Sequence, residues 1–294
     1  MIGIKEFNKK ISSLKNTRKM TKTMKMVSAS KFKRAHKAQL SAKEYAQKLT
    51  QLMTRLSGTG PTNHPLLKSK KAVTRSLIVL FTSDKGLCGG FNNNLIRKTR
   101  HWISDNPYKY TSIGMSFCGR RGYMSFRRTA KLCRYYENIT EKPNFVDAQT
   151  VARDISDAFI RGEYEEIHLA YNRFDGPLSQ TPVIEKILPL DASVVSKIEV
   201  TPEKKPLKSQ DYSYEPEEKD ILYFLIPKYL NFKIFFTLLE NAAGEHGARM
   251  SAMDKASQNS ADLIDRYTLL RNRARQAAIT TELIEIISGA EALK

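Results

Sequence analysis

Cysteine and histidine are scarce in this sequence, and the few present are scattered. Cys88, Cys118 and Cys133 show no Cys-x-x-Cys spacing, and the five histidines are not grouped with them. Disulfide frameworks and structural zinc sites need such residues at short, regular spacings. The sequence therefore predicts no metal site, no catalytic histidine and a reducing compartment. The three thiols are expected to be small buried hydrophobic groups.

Long apolar runs are also missing. The most apolar stretch, residues 221–236, is interrupted by Pro227, Asn231 and two lysines. A membrane-spanning helix needs about 20 apolar residues in succession. The N-terminal segment from Lys5 onward is polar and lacks the apolar core of a signal peptide. We therefore expect a protein that is soluble or peripheral to a membrane.

Acidic residues are few relative to basic ones. The 49 Lys and Arg outnumber 30 Asp and Glu, and eleven basic residues between positions 9 and 37 are accompanied by no carboxylate nearer than Glu6. A surface of this sign attracts nucleic acid, an anionic membrane face or an acidic protein. Base-stacking aromatics and base-reading amides are not interleaved with the lysines. A partner-facing helix surface is favoured, and a basic coiled-coil nucleic-acid-binding protein stays as the alternative.

Proline and glycine are absent between Gly3 and Ser57, where apolar residues recur at helical spacing. This pattern predicts one helix over residues 1–57, ended by the sequence SGTGP at 57–61. Such a helix is about 75 Å long and needs a partner along its length. A second helical pattern with a near-heptad seam covers residues 217–294. The two helices are expected to form a long antiparallel coiled coil.

Residues 73–190 have a different character, because short β-rich runs alternate with helical patterns. Strands are predicted at 76–82, 110–118, 132–138 and 167–171, and helices at 92–104 and 146–161. This alternation is typical of βαβ units in a mostly parallel sheet. An α/β domain is therefore expected between the two helices, followed by a linker at residues 191–216. The helix pair is expected to protrude from this globular head.

Three residues of the second helix bear on its regularity. Pro227 removes one amide donor and clashes one turn back, which predicts a kink or a helix boundary. Gly244 and Gly247 each cost about 1 kcal/mol relative to alanine in a helix interior. A bend, close helix packing or looseness is expected near these glycines.

A glycine-rich run, SDKGLCGGFNNN at 83–94, lies between a predicted strand and a predicted helix. A phosphate-binding P-loop places its lysine after the last glycine, whereas Lys85 precedes Gly86 here. The dinucleotide pattern Gly-x-Gly-x-x-Gly is absent as well. A structural turn is favoured over a nucleotide site, and a Rossmann-type nucleotide enzyme stays as a second alternative.

Five blocks of sequence, in order, carry a resemblance to a known family. They are IKEFNKKISSLKNTRKMTKTMKMVSASKFKRA (4–35), TSDKGLCGGFNNNL (82–95), PLSQTPVIEKILPL (177–190), DYSYEPE (211–217), and the tail ENAAGEHGARMSAMDKASQNSADLI with RNRARQAAITTELIEIISGAEAL (240–264 and 271–293). Together they resemble the gamma subunit of F-type ATP synthases. The family is alanine-rich where this sequence has Gly244 and Gly247.

The resemblance implies a Rossmann-like α/β domain inserted between the N- and C-terminal helices of a long antiparallel coiled coil. It implies a non-catalytic central-stalk rotor that transmits rotation of a membrane c-ring to the catalytic beta subunits. The implied partners are the alpha, beta and epsilon subunits and the c-ring, with no cofactor, no nucleic acid and no small-molecule ligand. The implied location is the cytoplasmic face of a bacterial inner membrane, or the equivalent face of an organelle membrane.

The family's contact surface for the alpha/beta hexamer maps onto both helices. The implied contact residues are Met24, Lys25, Val27, Arg249, Met253, Arg275, Gln276, Thr280 and Glu282. The polar members are expected to bind acidic loops of beta and to release them. The largely apolar tip, residues 283–293, is expected to turn in an apolar collar.

Overall fold

The computed structural model describes residues 4–57, 64–70, 73–190 and 218–291. Two long helices lie at the chain ends, α1 (Ile4–Ser57) with 54 residues and α5 (Glu218–Glu291) with 74. The helices predicted from periodicity are therefore present. The predicted linker, residues 191–216, lies outside the described residues.

Pro227 lies inside α5 and does not end it, so the expected boundary there is wrong. A proline in a helix interior costs about 3 kcal/mol. Its neighbours Ile226 and Leu230 are 0% exposed and belong to the hydrophobic core. Burying two such side chains contributes roughly 3 to 6 kcal/mol, which is enough to offset the proline.

The chain divides into two compact units, residues 1–29 with 249–294, and residues 30–248. We call them the terminal unit and the central unit. The division predicted from sequence, 1–57, 73–190, 191–216 and 217–294, follows secondary structure instead and stays a prediction.

In the terminal unit, α1 and α5 pack in opposite directions. The Phe7 and Tyr267 ring centroids are 6.3 Å apart, and Lys25 Nζ is 2.6 Å from Asp254 Oδ1. Residue numbers thus rise along α1 as they fall along α5. Phe7 and the α5 residue Ile264 are both less than 10% exposed, so the antiparallel seam is an apolar one.

The central unit contains a five-stranded sheet. In chain order its elements are β1 (Arg75–Phe81), α2 (Phe91–Asp105), β2 (Ser112–Cys118), α3 (Arg120–Phe126), β3 (Lys131–Tyr136), α4 (Phe145–Ile160), β4 (Glu166–Phe174) and β5 (Gln180–Leu188), preceded by a 3-10 turn at Pro65–Leu67. The strand order is β3-β2-β1-β4-β5, with β1 to β4 parallel and β5 antiparallel to β4. The α/β fold class and the mostly parallel sheet are confirmed.

The sheet carries a core on each face because successive side chains of a strand point to opposite sides. Leu77 and Val79 of β1 belong to a core with α4 and the 226–238 part of α5. Ile78 and Leu80 belong to a second core with α2 and α3. The face of the sheet that carries α2 and α3 is therefore packed on a hydrophobic core of its own.

Gly244 and Gly247 of α5 are closely packed against neighbouring residues. A Cβ atom at Gly247 would lie 2.9 Å from the carbonyl oxygen of Pro177, in the turn between β4 and β5. A Cβ atom at Gly244 would lie 3.0 Å from the Phe91 ring and 3.2 Å from Gln180 Cγ. The two glycines form a notch on α5 that receives this turn.

Candidate partner interface

The predicted contact residues of α1 differ in how much of them reaches the surface. Met24 and Lys25 are half-buried, whereas Val27 is 52% exposed. Lys25 is held by Asp254 across the helix pair at 2.6 Å. About 40% of each of these two side chains is exposed, so the ion pair contributes less than about 1 kcal/mol. A partner's carboxylate can compete for Lys25 at small cost.

The predicted contact residues of α5 fall into two groups. Arg249 and Met253 are buried, at 8% and 6% exposure, so little of either is available to another protein. Arg275, Gln276, Thr280 and Glu282 are all exposed. They begin more than 20 residues after Met253, which is over about 30 Å at the helical rise of 1.5 Å per residue.

The C-terminal part of α5 exposes large apolar side chains. Every residue from 281 to 290 is exposed. The large apolar side chains of this part of α5 are Leu283, Ile284, Ile286 and Ile287, together with Ile279 one turn before Leu283, and each is 49 to 68% exposed. Contiguous exposed apolar surface marks an interaction site. We call these five residues the apolar tip; Ile279 extends it one turn earlier than the sequence suggested.

Exposed methionines lie on α1 as well, and sequence reasoning missed them. Met20 and Met26 are 64% and 58% exposed, close to Val27 in the chain. A cavity of about 320 Å³ opens between Asn16, Lys19, Met20, Thr23 and Met24. Methionines among lysines were the available signal, because methionine is a flexible apolar side chain that binding surfaces often use.

The glycine run at 83–94 forms a turn that is closed by its own side chains. The Ser83 amide donates to Asn92 Oδ1 at 2.9 Å, and Asn92 Nδ2 donates to Ser83 Oγ at 2.7 Å. Leu87 and Gly89 adopt positive φ angles of 63° and 57°. The Asn92 amide thereby ties the end of β1 to the start of α2, as expected for a structural turn.

Lys85 of this turn is engaged by a carboxylate. Its Nζ lies 2.8 Å from Glu141 Oε2, and Lys31 Nζ lies 2.6 Å from Glu141 Oε1. A hydrogen bond from Lys31, and a second one of smaller effect from Lys85, lower the pKa of Glu141 to about 2. The ammonium group is thus directed to a protein anion, which supports the structural interpretation of the turn.

The three thiols lie in two different environments. Cys88 and Cys118 are buried, but Cys133 is exposed, so its prediction as a buried group was wrong. The reason is that β3 is an edge strand, and Cys133 Sγ lies 2.8 Å from the Tyr164 hydroxyl beside open surface. Within residues 4–57, 64–70, 73–190 and 218–291, no group of three metal-ligating side chains occurs. None of the helices in these ranges has an apolar stretch of the length that a membrane span requires.

Comparisons with known proteins agree on one family. Residues 3–293 match the family described as ATP synthase. The ATP synthase gamma chain of Geotalea uraniireducens (strain Rf4) is 40% identical over 294 residues, covering all of both chains.

Solved structures of ATP synthases contain chains of the same fold. A chain from the central stalk and c-ring of Tetrahymena thermophila mitochondrial ATP synthase superposes with a TM-score of 0.57 at 25% identity, covering 81% of this chain and 99% of that one. A chain of the Euglena gracilis mitochondrial ATP synthase rotor has the same fold, with a TM-score of 0.62 at 18% identity over 94% of this chain and 98% of that one.

Proposed function

Since this chain belongs to the ATP synthase gamma-chain family, we propose that it is the central-stalk rotor subunit of a proton-translocating F-type ATP synthase. It transmits rotation of the membrane c-ring to the catalytic beta subunits and so couples proton flow to ATP synthesis. Its partners are the alpha, beta and epsilon subunits and the c-ring. The full-length relationship to gamma chains carries this proposal and favours it over a nucleic-acid-binding coiled coil.

The helix pair of the terminal unit suits the transmission of torque. A single helix twists and bends easily, whereas two antiparallel helices joined by side chains must deform together. The Phe7 and Tyr267 rings and the Lys25 and Asp254 ion pair join the helices at points far apart along their length. Force applied along one helix is therefore shared with the other.

The exposed residues near the end of α5 are the best candidates for contact with the alpha/beta hexamer. Arg275 presents five donors in a fork that fits carboxylates, and Gln276 adds a donor and an acceptor. Such a contact must transmit force and yet break once per rotation of the rotor. A contact free energy of about 1 to 3 kcal/mol fits both requirements. The apolar tip makes no directional hydrogen bonds, so it can slide against the surrounding subunits as the rotor turns. The burial of Arg249 and Met253 favours helix packing as their main role.

We assign no catalytic role to the chain itself. Lys85 is paired with Glu141, and the turn around it is filled by its own side chains, so nucleotide chemistry belongs to the partner subunits. The chain associates with a membrane complex, and we place it on the cytoplasmic face of a bacterial inner membrane or the equivalent organelle face. Calorimetry on the isolated chain should detect neither binding nor hydrolysis of ATP. Stoichiometric ATP binding that Lys85→Ala abolishes would overturn this assignment.

The double variant Arg275→Ala/Gln276→Ala tests the contact surface. In the assembled enzyme it should lower ATP turnover several-fold while leaving co-purification with alpha, beta and epsilon intact, because these side chains are exposed and the helix seam is unchanged. Arg266→Ala is the matched control, since residue 266 is also exposed, carries the same charge, and lies nine residues before Arg275, about 13 Å along α5 and on the side of the helix opposite to Arg275. Equal turnover in the double variant, the control and the parent enzyme would remove these residues from the interface.

A further inference from the structure

A basic groove lies on the face of the central unit formed by α2 and α3. Its cavity has a volume of about 450 Å³, within the usual range for small-ligand sites. Its polar lining is Asn93, Arg97, Arg100, His101 and Ser104 of α2 and Ser125 of α3. We call this cavity the α2–α3 groove. Among the described residues that line it there is no carboxylate, so its cationic groups are the dominant local charge there.

The surrounding segment concentrates positive charge. Between residues 91 and 131 there are nine lysines and arginines and a single carboxylate, Asp105. The rest of the chain is less one-sided, because the whole sequence has 49 basic and 30 acidic residues. A concave surface of one sign on a low-dielectric wall focuses the field and attracts oppositely charged ligands. The expected ligand is an anion.

Arg100 is fixed in place at the groove. Its Nη2 atom lies 2.9 Å from Ser125 Oγ and 3.3 Å from the Ser125 carbonyl oxygen, and its Cζ atom lies 5.3 Å from the Phe126 ring centroid. A guanidinium held on one edge and stacked on a ring keeps a fixed orientation for its other donors. Little side-chain entropy is then lost on binding, which increases affinity.

Arg97 supplies a second guanidinium one helical turn before Arg100 along α2. Its single hydrogen bond within its own helix is a long one, 3.4 Å to Asn94 Oδ1, and the residue is exposed. Residues three apart on a helix lie on the same face. Ile96, which is buried, adds an apolar element to the same lining. The groove thus has one fixed and one adaptable arginine over an apolar base.

From this arrangement we propose that the α2–α3 groove binds a phosphate group, presented by a soluble phosphorylated compound or by the headgroup of an anionic lipid. Two arginine forks with hydroxyl and amide donors match a tetrahedral oxyanion better than a single carboxylate. Among the described residues that line the groove there is no phenylalanine, tyrosine or tryptophan, so the groove lacks the row of large aromatic rings on which single-stranded nucleic acid stacks its bases.

Binding is measured on the purified full-length chain with two probes. Calorimetry with inorganic phosphate detects a soluble ligand, and flotation with phosphatidylglycerol vesicles, compared with phosphatidylcholine vesicles, detects a lipid headgroup. Saturable binding of either probe supports the proposal, and the probe that binds identifies the source. Absence of saturable binding to both probes would overturn it.

A matched pair of variants locates the site. Arg97→Gln should weaken binding about tenfold, because one charge-assisted contact is lost. Lys98→Gln removes the same charge from the next residue of α2, whose Nζ instead donates to the Pro182 carbonyl oxygen at 2.7 Å, and should change binding less than about twofold. Equal losses in the two variants would mean attraction by diffuse charge and would overturn the site.

Arg100→Lys tests the fork separately. It keeps the positive charge but loses the planar donor geometry, so binding should weaken while unfolding of the variant, followed by circular dichroism, stays close to that of the parent chain. Unchanged affinity in this variant would show that Arg100 is not a ligand of the phosphate. Arg97→Gln is expected to fold like the parent chain, because Arg97 is exposed and its side-chain hydrogen bond is to Asn94 of the same helix.

Discussion

The notch on α5 makes a prediction about stability that runs against helix propensity. Replacing a helix-interior glycine with alanine normally stabilises a helix by about 1 kcal/mol. At Gly247, however, the new Cβ would lie 2.9 Å from the Pro177 carbonyl oxygen and 3.3 Å from Pro177 Cα. Overpacking of this kind costs about 1 to 3 kcal/mol. The clash is expected to win, so Gly247→Ala should lower the free energy of unfolding by about 1 kcal/mol.

The clash is costly because the turn cannot easily move away. Within it, the Gly176 amide donates to the Ser179 carbonyl oxygen at 3.0 Å, and the Ser179 amide donates to the Gly176 carbonyl oxygen at 3.2 Å. Gln180 Nε2 donates to the Pro177 carbonyl oxygen at 3.1 Å. These bonds fix the oxygen that the Cβ would strike. At Gly244 the nearest atoms belong to side chains, which can shift, so Gly244→Ala should cost less.

Gly289→Ala is the internal control, because a Cβ atom there meets nothing within 4 Å on the same helix. It should leave stability unchanged or raise it by up to about 1 kcal/mol. Urea unfolding of the full-length chain, followed by far-ultraviolet circular dichroism, should rank Gly247→Ala below Gly244→Ala and Gly244→Ala below Gly289→Ala. If Gly247→Ala were as stable as Gly289→Ala, the packing of the turn into the notch would be refuted.

Two further predictions concern titration and reactivity. Burial raises the pKa of the Glu240 carboxyl from 4.5 to about 7. Between these two pH values the folded protein keeps the Glu240 proton, whereas the unfolded chain releases it. The free energy of unfolding should therefore fall by up to roughly 3 kcal/mol as pH rises from 4.5 to 7. Denaturation series at several pH values should show this decrease in the parent chain and its loss in Glu240→Gln, while a decrease of equal size in Glu240→Gln would assign it elsewhere. Exposed Cys133 should react with a maleimide in the native protein, whereas buried Cys88 and Cys118 should react only after unfolding. Mass spectrometry that found native labelling of Cys88 or Cys118 would contradict the described core.

Periodic elements could be predicted from the sequence, and irregular ones could not. The strand expected at 76–82 is β1 (Arg75–Phe81), and the helix expected at 146–161 is α4 (Phe145–Ile160), because continuous burial and a 3.6-residue period leave clear patterns. Strand β5 (Gln180–Leu188) was missed. It is an edge strand that contains Pro182 and is half-buried over most of its length. Its sequence therefore shows neither a continuous apolar run nor a strict alternation of apolar and polar residues. Helix α3 (Arg120–Phe126) has only seven residues, which is too short for a helical period.

The contact residues on α1 and α5 stay a prediction, and the sequence could not tell which of them are exposed. The sequence placed contact residues on both helices, yet a helical pattern alone could not separate buried Arg249 from exposed Arg275. Burial at these positions is set by what lies beside the helix. The same limit applies to Cys133, whose exposure follows from the place of β3 at the edge of the sheet.

Rotation of this chain inside the assembled enzyme tests the central claim most directly. Tyr108 in the central unit is fully exposed, so Tyr108→Cys in a Cys133→Ser background provides a single reactive thiol for a bead. With the alpha/beta hexamer fixed to a surface, addition of ATP should turn the bead continuously in one direction, and removal of ATP should stop it. Full ATP hydrolysis with a stationary bead would contradict the proposal that this chain is the rotor.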